Sequence, residues 1–244
     1  MLASCKKSSS STTTTPTSDD AADIATSSIQ IGSGGFADQA GSVTIMSASN
    51  GYGLSNPEDG HGKTHKGGID GGPLTGPQGR LTCGVPFDTT VTYSYSGPNV
   101  TASFTHQWEL TLNCVDTSLA FAGTFTGNYD GPAITGSRTG TRDWVLTGIG
   151  TAYTAFVING TFNCNGSWTM KVRSMNTFTN TVAITCTDVT VDKITHRITG
   201  GTGTVNITCV VSNGHSYQFT GTVVFNGDHT ATLTINGKTY TILI

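Results

Sequence analysis

The stretch Thr202–Ile244 constrains the fold more than any other part of the chain. Val205, Ile207, Cys209 and Val211 fall on alternate positions and are followed by Asn213-Gly214. The alternation resumes as Tyr217, Phe219, Gly221, Val223 and Phe225, breaks at Asn226-Gly227-Asp228, and returns as Ala231, Leu233 and Ile235. After Asn236-Gly237 it closes with Tyr240, Ile242 and Ile244. A period of two sends each apolar set to one face of a sheet, and Asn-Gly supplies the positive φ angles of tight hairpin turns. The stretch therefore predicts a run of β-hairpins with one buried face.

The same grammar extends back to Thr89. Val91, Tyr93 and Tyr95 alternate before the turn Ser96-Gly97-Pro98-Asn99. Phe104, His106, Trp108, Leu110, Leu112 and Cys114 then form one long inward face, opposed by Thr105, Gln107, Glu109, Thr111 and Asn113. Further strands are expected around Leu119–Thr126, Arg142–Leu146, Ala152–Phe162, Ser167–Val172, Phe178–Thr187 and Val189–Arg197, with Asn159-Gly160, Asn165-Gly166 and Gly200-Gly201 as turns or bulges. No helical period of comparable length interrupts them, so parallel crossovers are not expected. The fold class expected is all-β: an antiparallel meander of about ten or more strands forming a sandwich or closed barrel, with an irregular Gly-rich N-terminal segment.

Three segments follow: 1–18, a Ser/Thr-rich tether; 19–88, an irregular Gly/Pro-rich segment; and 89–244, the β domain. In the second segment, Ser18-Asp19-Asp20 is placed to cap a helix of two or three turns through Ala21, Ala22, Ile24 and Ala25. Ile29–Ile31 and Val43–Met46 are short strand candidates. Ser47–Pro86 is loop-like, with Asn50-Gly51, Asp59-Gly60, Gly71-Gly72 and Gly76-Pro77; a loop of that length draws functional suspicion.

Only 11% of residues are charged and the formal net charge is -3. The twelve Lys and Arg are scattered, without the basic stripe that a phosphate backbone requires, so nucleic acid is not an expected partner. No apolar run is long enough for a helical membrane span. A transmembrane barrel shares the period-two pattern, but the cysteines and the scarcity of interfacial aromatics argue against it.

Leu2-Ala3-Ser4-Cys5, followed by Lys6-Lys7 and the tract Ser8–Ser18, resembles the lipobox and tether of bacterial lipoproteins. The half-chain Asn163–Thr241 is also similar to surface lipoproteins of the Bacteroidota, notably at Lys171-Val172-Arg173, Asp188-Val189-Thr190-Val191-Asp192-Lys193 and Ile198-Thr199-Gly200-Gly201-Thr202. The resemblance implies diacylglycerol on Cys5, an N-acyl group beside it, and a place in the outer membrane or at the cell surface, since Lys6 stands where an inner-membrane retention signal would have Asp. Anchoring by two or more acyl chains is effectively stable, at about 0.8 kcal/mol per buried methylene. The implied partners are the membrane, through that anchor, and a glycan or another envelope protein; the resemblance carries no assigned activity.

If Cys5 is acylated, Cys83, Cys114, Cys164, Cys186 and Cys209 remain as disulfide candidates, an odd number. Cys114, Cys186 and Cys209 share phase with apolar neighbours, which equally suits small core residues. His61 and His65, with Glu58, Asp59 and Asp70, are weak metal-ligand candidates, since His-x-x-x-His faces one way only in a helix and this segment is Gly-rich. No cofactor is expected. A polysaccharide or peptide hydrolase is the alternative function, but it needs paired carboxylates or a nucleophile motif. Only two Glu occur, Asp188 and Asp192 stand about 13 Å apart along one strand, and no Gly-x-Ser-x-Gly is present. Among aromatics, Trp108 and Trp168 pattern with the core, whereas Trp144 and Tyr129 are the candidates for an outward, sugar-stacking surface. Thr-x-Thr groups such as Thr220-Gly221-Thr222 are too unevenly spaced along the chain to predict a regular array. The expectation is a non-enzymatic envelope, adhesion or binding module.

Overall fold

A computed structural model describes residues 15–47, 81–150, 152–173 and 175–244. Two helices, α1 (Ser18–Ile29) and α2 (Phe36–Ser47), precede ten strands: β1 (Phe87–Ser96), β2 (Thr101–Asn113), β3 (Ser118–Asp130), β4 (Ile134–Thr147), β5 (Ala155–Met170), β6 (Thr177–Asp192), β7 (Ile198–Val210), β8 (Ser216–Phe225), β9 (Thr230–Ile235) and β10 (Lys238–Leu243). They form one antiparallel meander in sequence order. The all-β expectation holds. The sheet is neither a sandwich nor a closed barrel: it is a single open sheet curled around α1 and α2, and β1 and β10 do not pair.

Several local expectations are corrected. Ile29–Ile31 and Val43–Met46 are not strands; Ile29 ends α1 and Val43–Met46 lies in α2. The reason is visible in the spacing, because Phe36, Ala40, Val43 and Ser47 recur at helical intervals and are all buried. The cap of α1 is Thr17, not Ser18: its hydroxyl accepts from Asp20 N–H (3.2 Å), while Asp20 Oδ2 accepts from Thr17 N–H (2.9 Å), a reciprocal capping box. The pairs of strands expected on either side of Asn165-Gly166 and around Thr187–Val189 are each one long strand, β5 and β6. Asn159-Gly160 marks a bulge within β5 rather than a turn.

The interior is packed from both sides. α1 buries Ala21, Ala22, Ile24, Ala25 and Ile29, and its small residues let the sheet close around it. Across β2–β5 the inward positions alternate large residues with glycine: Trp108–Gly123–Arg142, Phe104–Gly127–Arg138–Gly166 and Trp144–Gly160 lie in registered rows. A Cβ on Gly127 would stand 2.3 Å from Phe104 Cδ1, and one on Gly123 would stand 3.2 Å from Arg142 Nη2. The glycines thus give neighbouring rings and guanidinium groups room to lie across the sheet.

The open seam is held by the link between the helices. Ile31 N–H donates to Leu243 O of β10 (3.3 Å), while Gly32 lies against the Tyr95 ring of β1. At the start of α1, Asp19 accepts from Tyr240 Oη (2.7 Å) and Lys238 Nζ (2.9 Å) of β10. The linker thus touches both edge strands, β1 through the Tyr95 ring and β10 through the Leu243 carbonyl.

Candidate functional site

Because side chains alternate, every strand that fills the interior also builds the convex face. Pairing registers place its residues in rows that cross the strands. One runs Thr185–Thr204–Thr222–Thr234–Thr239 over β6 to β10, and the next runs Thr187–Thr202–Val224–Thr232–Thr241. Nine of these ten positions are Thr, none is charged, and all are exposed or half-buried. The Thr-x-Thr groups that are unevenly spaced in the sequence are brought into lateral register by turns of different lengths. Neighbours in a row are about 4.8 Å apart and successive rows about 6.8 Å apart along the strands.

On the other half of this face, the row Thr92–Thr105–Thr126–Thr139–Asn165–Thr181–Thr208–Gln218 crosses β1 to β8. Thr105, Gln107, Thr124, Thr126, Thr139, Thr141 and Asn165 line a shallow groove of roughly 400 Å³ there. Thr124 Oγ1 donates to Gln107 Oε1 (3.1 Å), which leaves the remaining hydroxyls free to turn either way. The groove and the threonine rows therefore offer hydroxyl, amide and methyl groups without formal charge. A second depression, of roughly 500 Å³, lies at the ends of β2–β4 and is lined in part by Ser103, Asn128 and Ser137.

The aromatic candidates are corrected. Trp144 is 1% and Tyr129 4% exposed, so neither presents a stacking face. Trp144 packs edge-on against Phe36, and the Tyr129 hydroxyl accepts from Gln30 Nε2 (2.6 Å). Trp108 and Trp168 are core, as their phase predicts. Of the cysteines, Cys83 and Cys114 form a disulfide on the exposed surface, whereas Cys164, Cys186 and Cys209 are buried free thiols. Burial pushes the Cys186 and Cys209 thiols up to about 12, which makes them inert. Cys5, His61 and His65 lie outside the described residues, as do Glu58, Asp59 and Asp70. Among the described residues no group of three or more His, Cys, Asp or Glu is arranged to hold a metal ion.

The hydrolase requirement is met only in part. Asp88, Glu109 and Asp143 share one convex row, with Ala122 between the last two, and two strand spacings separate Glu109 from Asp143 by roughly 10 Å. All three are exposed and none lines either groove.

The interior holds polar residues that the sequence reading missed. Arg138 donates to Ser27 O (2.8 Å) and Ser33 O (2.6 Å), satisfying carbonyls at and beyond the end of α1, and its guanidinium lies 4.7 Å from the Phe104 ring centroid. Arg142 donates to Gln39 Oε1 (2.7 Å) on α2 and to Gln107 O (3.0 Å), 3.4 Å from the Trp108 ring centroid. Its Nη1 is 3.4 Å from His106 Nδ1. Burial, then the two arginines, push His106 down to about 3. Asp38 accepts from Gly32 N–H (3.0 Å) and Gly34 N–H (2.6 Å), yet burial of its carboxyl end pushes it up to about 6. The available signal was phase: Arg138 and Arg142 alternate with Ile134, Trp144 and Leu146, which places them inside.

No protein-family model, no curated protein and no solved structure matches the chain.

Proposed function

We propose that the chain is an exported, lipid-anchored envelope module that binds an uncharged polysaccharide on its convex face without catalysis. The observation that carries this reading is the pair of threonine rows on β6–β10, an array of hydroxyls and methyls with no charge. A neutral polymer laid across the strands meets one hydroxyl per strand. Export is supported by the exposed Cys83–Cys114 disulfide, since such bonds persist in oxidising compartments. The lipobox at Leu2–Cys5 supports the anchor. The chain enters α1 beside Asn236, whose Nδ2 donates to Ser18 Oγ (3.4 Å). Ser18 thus lies at the end of the sheet that carries the β9–β10 turn.

Retention on insoluble neutral polysaccharides tests the binding. Wild type should be retained, and a Thr204→Lys/Thr222→Lys double variant should lose at least tenfold in affinity with an unchanged melting temperature. Equal retention of the two would sink the reading. Intact mass and detergent partitioning of full-length protein against Cys5→Ala test the anchor, and identical behaviour removes it.

The same array favours one second reading, contact with the ordered surface of ice. Adjacent strands rotate by about 20–25°, so a rigid lattice matches only two or three strands at a time, whereas a flexible polymer follows the twist. Inhibition of ice recrystallisation by wild type, absent in the double variant, would favour ice. Release of reducing sugar from a bound polymer, lost in Glu109→Gln, would instead favour the hydrolase alternative.

A further inference from the structure

We propose that the outer edge of β1 is a homodimer interface, on which β1 of a second copy pairs antiparallel about a twofold axis at Thr92. β1 is the longer of the two edge strands and pairs with β2 alone. The hydrogen-bond pattern shows which of its groups are left over. Beyond Ser96, Gly97 N–H donates to Val100 O (2.8 Å), so Gly97 and Val100 are a bonded pair. Bonded and non-bonded pairs alternate along an antiparallel ladder, and the register runs without a break from Ser96/Thr101 to Phe87/Leu110. Phe87, Thr89, Val91, Tyr93 and Tyr95 therefore turn their backbone groups to β2, whereas Asp88, Thr90, Thr92, Ser94 and Ser96 turn theirs outward. Among the described residues no backbone bond reaches the N–H and C=O groups of those outward residues, and all of them are exposed.

The edge also lacks the devices that blunt one. β1 contains no Lys, Pro or Gly and no bulge. β10, by contrast, is short, carries Lys238, and has its Leu243 O taken by Ile31 N–H. Along β1 the inward side chains Phe87, Val91, Tyr93 and Tyr95 are only half-buried, whereas Phe104, Trp108 and Leu110 beside them on β2 are fully covered. The shape and charge of the strand select its own copy as the occupant. A strand joining this edge must keep inward residues inward, so β1 can pair with itself only in registers centred on a residue. Centring on Thr92 uses every outward group. Asp88 then meets Ser96 of the second copy, Thr90 meets Ser94 and Thr92 meets Thr92, for about ten backbone hydrogen bonds, as many as a typical protein interface carries. On the concave side Val91 meets Tyr93 and Thr89 meets Tyr95, β-branched against aromatic, the pairs that stabilise antiparallel strands. Asp88 is the one charge on the strand, and no like charge faces it. The convex row that runs from Thr92 to Gln218 continues, in such a dimer, through Thr92 of the second copy.

Sedimentation equilibrium of the full chain carrying Cys5→Ser provides the test, since neither an acyl group nor the Cys5 thiol then contributes. That chain should be a dimer. Thr92→Lys sets like charges against each other across the axis and should raise the dissociation constant at least tenfold, with an unchanged circular dichroism spectrum. An equimolar mixture of Thr92→Lys and Thr92→Asp should restore the dimer. Should Thr92→Lys fail to fold, cysteine pairs read the register instead. Bonded partners stand about 5.5 Å apart at Cα, within disulfide reach, so Thr92→Cys should cross-link on oxidation. Thr90→Cys should not, because Thr90 faces Ser94. A chain that stays monomeric at every soluble concentration would overturn the proposal, and capture of a synthetic extended peptide on β1 would then assign the edge to a strand of another protein. A dimer that Thr92→Lys leaves unchanged, or one in which Thr90→Cys cross-links as well as Thr92→Cys, has a different interface and would overturn it too.

Discussion

The concave and convex faces are written on the same strands, one residue apart, and they follow opposite rules. Inside, size alternates: rings and guanidinium groups lie across glycines, and the two buried arginines are tied to α1, α2 and the linker between them. Outside, threonine recurs from strand to strand, and the two rows over β6–β10 repeat it at nine positions of ten. The comparison teaches that one face is specified residue by residue, whereas the other is specified by register alone. Substitutions should therefore cost stability inside and cost only binding outside.

The sharpest break of that contrast is Arg138→Met. It strips a carbonyl of α1 (Ser27) and one of the linker (Ser33) of their buried donor, and at about 1–3 kcal/mol for each group left unsatisfied the loss is about 2–6 kcal/mol. Chemical denaturation should show that loss with an unchanged m-value. Reducing the Cys83–Cys114 bond, which closes a sequence separation of 31, should cost about 3–4 kcal/mol on loop-entropy grounds. A melting temperature that drops with reductant in wild type, and is insensitive to it in Cys83→Ser/Cys114→Ser, checks this. Gly34→Ala comes next. Gly34 has φ 68°, and a Cβ there would stand 2.1 Å from Phe104 Cδ2, so the variant should lose about 2–3 kcal/mol through strain and overpacking.

Acid should act on the interior in two opposed ways. His106, held down to about 3, contributes stability that is present above its unfolded value near 6.5 and is lost as pH falls toward 3. Asp38, pushed up to about 6, does the reverse: its contribution is present below its unfolded value of 3.8 and is lost as pH rises through 6. At about 1.36 kcal/mol per unit, the two nearly cancel between pH 6 and 4 and leave a net loss of about 2 kcal/mol by pH 3. Stability measured against pH should thus be flat and then fall. In Asp38→Asn the fall should begin near pH 6.5, and a profile unchanged from wild type would break the account. The smallest effect belongs outside. Thr204→Ala and Thr222→Ala should each change stability by no more than about 0.5 kcal/mol, and calorimetry that shows more would mean the convex face also supports the core.

Much of this architecture was legible in the sequence because strands carry a short, strict period. Phe104, His106 and Trp108 were placed inside by phase alone, and they are inside. Where glycine or arginine took an inward position the signal thinned, so most of β4 went unseen. Val43–Met46 misled because four β-branched or long apolar residues suit a strand locally, and only Phe36 and Ala40 upstream disclose the helical interval. The threonine rows were hidden for a different reason. They are a property of lateral register, which is set by the turn lengths of five strands together and is absent from any one of them.

The clasp at the seam has a kinetic meaning. Nine hairpins join neighbours in sequence and form from local contacts, which are quick to find. The bonds from Asp19 to Lys238 and Tyr240 span 219 and 221 residues, the longest hydrogen-bonded separations among the described residues. The helices precede the strands in the chain, and helices of twelve residues are marginal until packed, so the bonds that join α1 to β10 close only once β10 has been made.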